Sequence, residues 1–252
     1  METPNGIRIL WHDIRHAMAL MTRIPVSLNA EYANSRGAAF MWAFPLIGAM
    51  VGSLAFCAAA LGKMVLPFEI TGFLVLLTCV MVTGAIHEDG LADCADGFWG
   101  GWTPARRLEI MKDSAIGAYG VIALILSFGV RYIAITSLVR VDLEILLIPL
   151  AVASRVWILA LMRFMTPAGE GGLAKSYGKP PIATCIAALM IGILCILPFA
   201  PIAWMAVLGG AMGTLVVANY AQTKIKGYTG DVLGASQVLA EITSLLVLLA
   251  LI

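Results

Sequence analysis

The chain has 252 residues, 61% hydrophobic and 12% charged, with a formal net charge of +1. A soluble domain is roughly 45–50% apolar and about 25% charged, so water cannot solvate this surface and its natural solvent is lipid. The net charge says little about partners, and no nucleic-acid partner is expected.

The first clearly apolar run starts near Ala38, too late for a secretory leader, and none is expected. Before it, Leu10, Ile14, Ala17, Met18 and Met21 share helical spacing, with Arg8, His12, Asp13, Arg15 and His16 largely elsewhere on the wheel. The pattern predicts a helix over Ile9–Met21 lying on the membrane surface, with both histidines exposed on its polar face. Crossing the hydrocarbon takes about 20 apolar residues. Spans are predicted at Ala38–Leu61, Ile70–Ile86, Tyr119–Leu138, Glu144–Phe164, Ile182–Leu197, Ile202–Tyr220 and Val238–Ile252, the last short enough to be re-entrant. Pro198 and Pro201 suit a tight turn between the fifth and sixth. The fold expected is an all-α polytopic bundle: one membrane domain, with residues 1–37 a cytoplasmic amphipathic segment and 38–252 the bundle.

Basic residues orient it. Arg8, Arg15, Arg23 and Arg36 precede the first span; Arg106, Arg107 and Lys112 follow the second; Arg163, Lys175 and Lys179 follow the fourth; Lys224 and Lys226 follow the sixth. The alternate loops hold only Lys63 and Arg140, which places the N-terminus and the basic loops in the cytoplasm. Of five cysteines none forms a CxxC pair; Cys57, Cys79, Cys185 and Cys195 read as small apolar residues, and Cys94 falls in an acidic cluster.

That cluster, His87-Glu88-Asp89-Gly90-Leu91-Ala92-Asp93-Cys94-Ala95-Asp96-Gly97, carries the chemistry. Asp89, Asp93 and Asp96, spaced four and three apart, share one helical face, with Glu88 about a quarter-turn away. Three crowded carboxylates suit a hard divalent cation such as Mg²⁺, which takes one or two carboxylates plus water and substrate phosphate. Gly90 and Gly97 leave room for a ligand against the backbone. His87 reads equally as a proton-transfer group or as an interfacial histidine bonded to backbone.

Downstream, helical spacing puts Arg106, Glu109 and Asp113 on one face. Arg106, Arg107 and Lys112 become phosphate contacts and Asp113 a ligand or base, unless Arg106 simply pairs with Glu109. A third segment, Lys224-Ile225-Lys226-Gly227-Tyr228-Thr229-Gly230-Asp231-Val232-Leu233-Gly234, reads as a flexible loop. Its amides, with Lys224, Lys226 and Thr229, would meet phosphate, and Asp231 would complete the metal site or act as base. The residues alone indicate a membrane phosphoryl transferase acting on a diphosphate.

Together these motifs resemble the cobalamin synthase, or adenosylcobinamide-GDP ribazoletransferase, family over nearly the whole chain. The resemblance includes Thr22-Arg23-Ile24-Pro25-Val26, Phe44-Pro45-Leu46-Ile47-Gly48, His87–Gly97, Leu108–Gly120, Thr229–Ala235 and Glu241. One departure is Pro167-Ala168-Gly169-Glu170-Gly171-Gly172-Leu173, which lacks an arginine expected after Ala168; Arg163 and Lys175 stand nearby. The resemblance implies a Mg²⁺-dependent enzyme of the bacterial inner membrane, its site on the cytoplasmic side. Alpha-ribazole, or its 5′-phosphate, would attack the cobinamide-side phosphorus of adenosylcobinamide-GDP, giving adenosylcobalamin or its phosphate and releasing GMP. A homo-oligomer is left open.

Two other readings compete. A CDP-alcohol phosphotransferase uses the same chemistry, but spreads its aspartates more widely than Asp89–Asp96. A transporter would exploit Arg131 and Arg155 inside their spans. Its carboxylates would follow a path across the bilayer, whereas these gather at one face, and no inverted repeat is evident.

Overall fold

The computed structural model describes residues 6–28, 35–169 and 172–252. Among these the order is α1 (Gly6–Met21), α2 (Phe44–Gly62, entered by a 3₁₀ turn at Gly37–Ala43), α3 (Phe68–Thr83), α4 (Ile86–Gly100), α5 (Pro104–Ile110), α6 (Ala118–Arg140), α7 (Leu147–Phe164, entered at Glu144–Leu146), α8 (Leu173–Tyr177), α9 (Ile182–Ile196), α10 (Ala200–Ile225) and α11 (Gly230–Leu251). The described residues form no strand, only an isolated bridge between Pro167 and Tyr228. Six helical segments are long and apolar enough to cross a membrane, and the bent α3–α4 pair makes up to seven. The expected all-α polytopic bundle is what forms.

The loops alternate between two ends as the basic residues foretell. At one end the Arg23 amide donates to the Val82 carbonyl, Tyr228 to Thr166, and Ala168 to Tyr228. The Arg107 guanidinium reaches the Lys224 carbonyl at 2.9 Å there. At the other end Lys63 pairs with Asp142 and Glu144, and Arg140 with Glu69. α3 thus runs from Glu69 at one end to Val82 at the other.

Three expectations are corrected. The second span stops at Thr83, not Ile86: Gly84 and Ala85 both adopt left-handed backbone (φ 66° and 57°), and the chain turns by 87° into α4. α11 starts at Gly230, not Val238, and α10 runs to Ile225, so most of the supposed flexible loop is helix, with only residues 226–229 between. α1 presents its polar face inward: Asp13 is buried and accepts from Arg36 (2.7 Å) and the Trp42 indole (2.7 Å). His16, expected exposed, is buried 3.1 Å from the Tyr177 hydroxyl. Ile7, Leu10 and Trp11 are left outside, as a helix resting on lipid requires.

Lipid supplies no hydrophobic drive between spans, so small residues admit close helix packing. A Cβ at Gly48 would lie 2.5 Å from the Ala151 carbonyl oxygen, one at Gly52 2.7 Å from the Ile148 Cα, and one at Gly213 2.3 Å from the Leu239 carbonyl oxygen. These contacts join α2 to α7 and α10 to α11.

Between the helices lies a charged network. Arg131 of α6, 2% exposed, donates to Glu88 of α4 at 2.6 Å and to Glu241 of α11 at 3.2 Å. Gln237 extends it from Glu241 (2.9 Å) to Ser154 (3.2 Å), where Arg155 also donates (3.0 Å) and reaches the Ala151 carbonyl (3.2 Å). Two arginines and two glutamates balance, so Arg131 sits within a paired network. Removing one partner of a buried ion pair costs about 3–5 kcal/mol because the other stays charged and buried. Arg131→Leu should lower the unfolding midpoint of the detergent-purified protein far more than Glu88→Gln, which keeps the Arg131–Glu241 pair. An unchanged midpoint for Arg131→Leu would show that the network does not hold the bundle.

Candidate active site

The left-handed turn at Gly84–Ala85 is fixed from outside by the Thr22–Pro25 segment; a Cβ on Gly84 would strike the Arg23 side chain at 2.1 Å. α4 therefore leaves at a fixed angle and lies against the start of α11. Two glycines set how close: a Cβ at Gly90 would lie 2.6 Å from the Asp231 carbonyl oxygen, and one at Gly234 3.2 Å from the His87 Cα. Gly90 thus admits a neighbouring helix, not a ligand, and Gly97 likewise admits Met111 and the Arg107 carbonyl.

This packing brings Asp231 to the acidic helix, across more than a hundred residues of chain. Asp93 is half-buried and feels the charges of Asp231, Asp89 and Asp96; Asp231 in turn feels Asp89, which is exposed. Asp231 occupies the first turn of α11. The Thr229 side chain caps that turn, accepting from the Val232 amide (3.4 Å), and its hydroxyl donates to Asp231 at 3.1 Å. A capped helix start favours anionic groups. The preceding chain is pinned, not flexible: Tyr228 is fully buried and bonded to Thr166 and Ala168.

Asp96 points elsewhere. Its two oxygens accept the amides of Gly117 (2.8 Å) and Gly120 (2.9 Å), so it caps the start of α6 from a neighbouring helix. A Cβ at either glycine would meet that carboxylate at 2.4 Å. Among the described residues no three His, Cys, Asp or Glu side chains form a ready metal cage. Asp89, Asp93 and Asp231 nonetheless offer hard oxygen donors from two helices. That set fits Mg²⁺, which keeps several waters and completes its shell on substrate phosphate.

His87 is buried and lines the same cavity as Asp89 and Asp231. The remaining predicted residues have the following surroundings. Arg106 pairs with Glu109 at 2.8 Å on an exposed face. Arg107 serves the Gly101 and Lys224 carbonyls. α5 ends at Ile110, so Asp113 leaves the face assigned to it and instead accepts the Ala115 amide at 3.0 Å in an exposed turn, beside exposed Lys112. Lys224 lies over the Trp99 ring, and exposed Lys226 takes a left-handed conformation at the end of α10. Cys94 is buried in the core.

What the motifs did not disclose is the wall facing the carboxylates. A cavity of about 230 Å³ opens beside Asp89 and Asp231, bounded by Met21, Met41, Phe44, Ile158, Met162 and Tyr177. Its only trace in the sequence is that α1 and the Phe44-Pro45 segment carry large apolar side chains toward the same end.

The family model described as cobalamin-5-phosphate synthase matches residues 13–249. An adenosylcobinamide-GDP ribazoletransferase of Bradyrhizobium diazoefficiens is 39% identical over 96% of this chain and 94% of its own length. Its counterpart in Azorhizobium caulinodans is 37% identical over 93% and 94%, and that of Prosthecochloris aestuarii 37% over 88% and 92%. No solved structure matches. The chain belongs to the cobalamin-5-phosphate synthase family.

Proposed function

We propose that this protein joins α-ribazole, or its 5′-phosphate, to adenosylcobinamide-GDP and releases GMP, working with Mg²⁺ at the cytoplasmic face of the bacterial inner membrane. The family supplies the transferase activity. The observation that carries the site is the approach of Asp231 to Asp89 and Asp93, which assembles three carboxylates where two helices meet at the basic end of the bundle.

The reaction forms one P–O bond from a ribazole hydroxyl to the cobinamide-side phosphorus, and the hydroxyl proton passes to water. It breaks the P–O bond to the bridging oxygen, and GMP departs with that bond's electron pair. Asp89 and Asp93 would hold Mg²⁺, which when bound offsets the diphosphate charge. Asp231 is assigned to the same ion, because its backbone packs on Gly90 between Asp89 and Asp93 and it lines one cavity with Asp89. Thr229 fixes Asp231 and leaves the α11 start turned to phosphate. Lys112 and Lys226, exposed at this end, are assigned to meet incoming diphosphate. Arg106, Arg107 and Asp113 drop out of the proposed machinery, since local structure uses their side chains. The His87 backbone packs against Gly234 and His87 lines the cavity, and no proton is routed through it.

Asp89→Asn, Asp93→Asn and Asp231→Asn should each lower GMP release by about 100-fold or more and raise the Mg²⁺ concentration needed for half activity. Asp96→Asn should behave differently, lowering the unfolding midpoint while leaving the Mg²⁺ requirement unchanged. Equal Mg²⁺ titration curves for wild type and Asp231→Asn would remove Asp231 from the ion.

Orientation is checked separately. Single cysteines at Lys112, Thr166 and Lys226, in a chain otherwise free of cysteine, should resist an impermeant thiol reagent added to intact cells. A cysteine at Asp142 should react. Labelling at Lys226 but not Asp142 would invert the topology.

A further inference from the structure

We infer that the cavity beside Asp89 and Asp231 seats the benzimidazole base of α-ribazole. This rests on the reaction proposed above and adds which part of which substrate the cavity receives.

The cavity has two chemically different sides. Met21, Met41, Phe44, Ile158 and Met162, none more than 5% exposed, form an apolar wall drawn from α1, the entry to α2, and α7. Tyr177 completes it, its hydroxyl engaged by His16. The polar groups His87, Asp89 and Asp231 all come from α4 and α11. An occupant must therefore pair an apolar body with a polar end that reaches the carboxylates.

Four bulky groups enter the reaction, and only one matches. The corrinoid macrocycle with its amide arms is far larger than about 230 Å³. Guanine, and the adenine of the adenosyl group, present several donors and acceptors along their edges. Facing methionine and phenylalanine these would lie unpaired, at about 1–3 kcal/mol each. The dimethylbenzimidazole of α-ribazole has no N–H once glycosylated, one ring nitrogen as acceptor, and two methyl groups. Polarisable thioethers pack well on such a ring. Connectivity gives an independent reason. The base and the attacking hydroxyl are carried by one ribose, so the base must bind within a sugar's length of the reacting phosphorus. This cavity borders Asp89 and Asp231 directly.

The test uses full-length protein in detergent with Mg²⁺, following GMP release while each substrate is varied. Met162→Phe narrows the apolar wall and should raise KM for α-ribazole about tenfold or more, leaving KM for adenosylcobinamide-GDP near wild type. The riboside of unsubstituted benzimidazole, lacking both methyls, should recover part of that loss. Free dimethylbenzimidazole, tested on unaltered protein, should compete with α-ribazole and not with adenosylcobinamide-GDP, which keeps the question open to test if the variant fails to fold. Competition against adenosylcobinamide-GDP would give the cavity to the other substrate and overturn the inference. So would no inhibition together with unmoved constants, the result expected if a lipid chain fills the cavity. Absence of GMP release by the unaltered protein would instead defeat the proposed reaction, so the two failures are distinguishable.

Discussion

One guanidinium holds together the two helices that carry the carboxylates. Asp89 and Asp93 on α4 and Asp231 on α11 repel one another, and that repulsion pushes the helices apart. Arg131 stands between the same helices and binds Glu88 of one and Glu241 of the other. The attraction acts deep in the protein, where little water or salt screens it; the repulsion acts at the mouth, where Asp89 is exposed and solvent weakens it. At equal separation the buried term is several times larger. Glycines 90 and 234 turn that advantage into contact, since a side chain at either position would hold the backbones apart.

Asp96 shows the same economy of charge. Aligned with Asp89 and Asp93 by sequence, it looks like a third ligand, yet it answers two orphan amides at the start of α6. That assignment explains why glycine stands at 117 and 120, where any side chain would meet the carboxylate. It also fixes α6, whose Arg131 then reaches Glu88. One aspartate of the acidic helix thus secures the helix that supplies the clamp.

Much of this was legible in the sequence, because spans follow from apolar run length and the grouping of loops at two ends follows the placement of lysine and arginine. The shared face of Asp89 and Asp93 followed from helical spacing alone. Other features depend on tertiary context that no local pattern carries. Gly84 looks like one more small residue in an apolar run, and only its contact with Arg23 shows why the chain turns there. The Gly227–Gly234 stretch has the composition of a loop, yet Gly230 and Gly234 lie within α11 and Gly227 is pressed against the Thr166 carbonyl. Asp113 lost its assigned face because α5 stops at Ile110, about two turns after its Thr103 cap. Asp13 and His16 were placed outside because polar residues on a surface helix usually face water. Here Arg36, Trp42 and Tyr177 give them partners within the fold.

The 87° turn before α4 follows from what the helix contains. Glu88, Asp89, Asp93 and Asp96 could not enter hydrocarbon, where each carboxylate at depth costs about 2.5–3.5 kcal/mol on insertion scales. A straight continuation of α3 would carry them into water, clear of the bundle, and would leave Leu91, Cys94 and Phe98 without a core to fill. Folding α4 across the end of the bundle satisfies both faces: those three side chains are buried with Val232 and Ala235 of α11 among the same cluster, while Asp89 stays open. The helix then lies where an apolar cavity meets water. A substrate that joins an apolar base to a charged centre needs both solvents within one molecule's length, and few places other than the rim of a membrane bundle provide them.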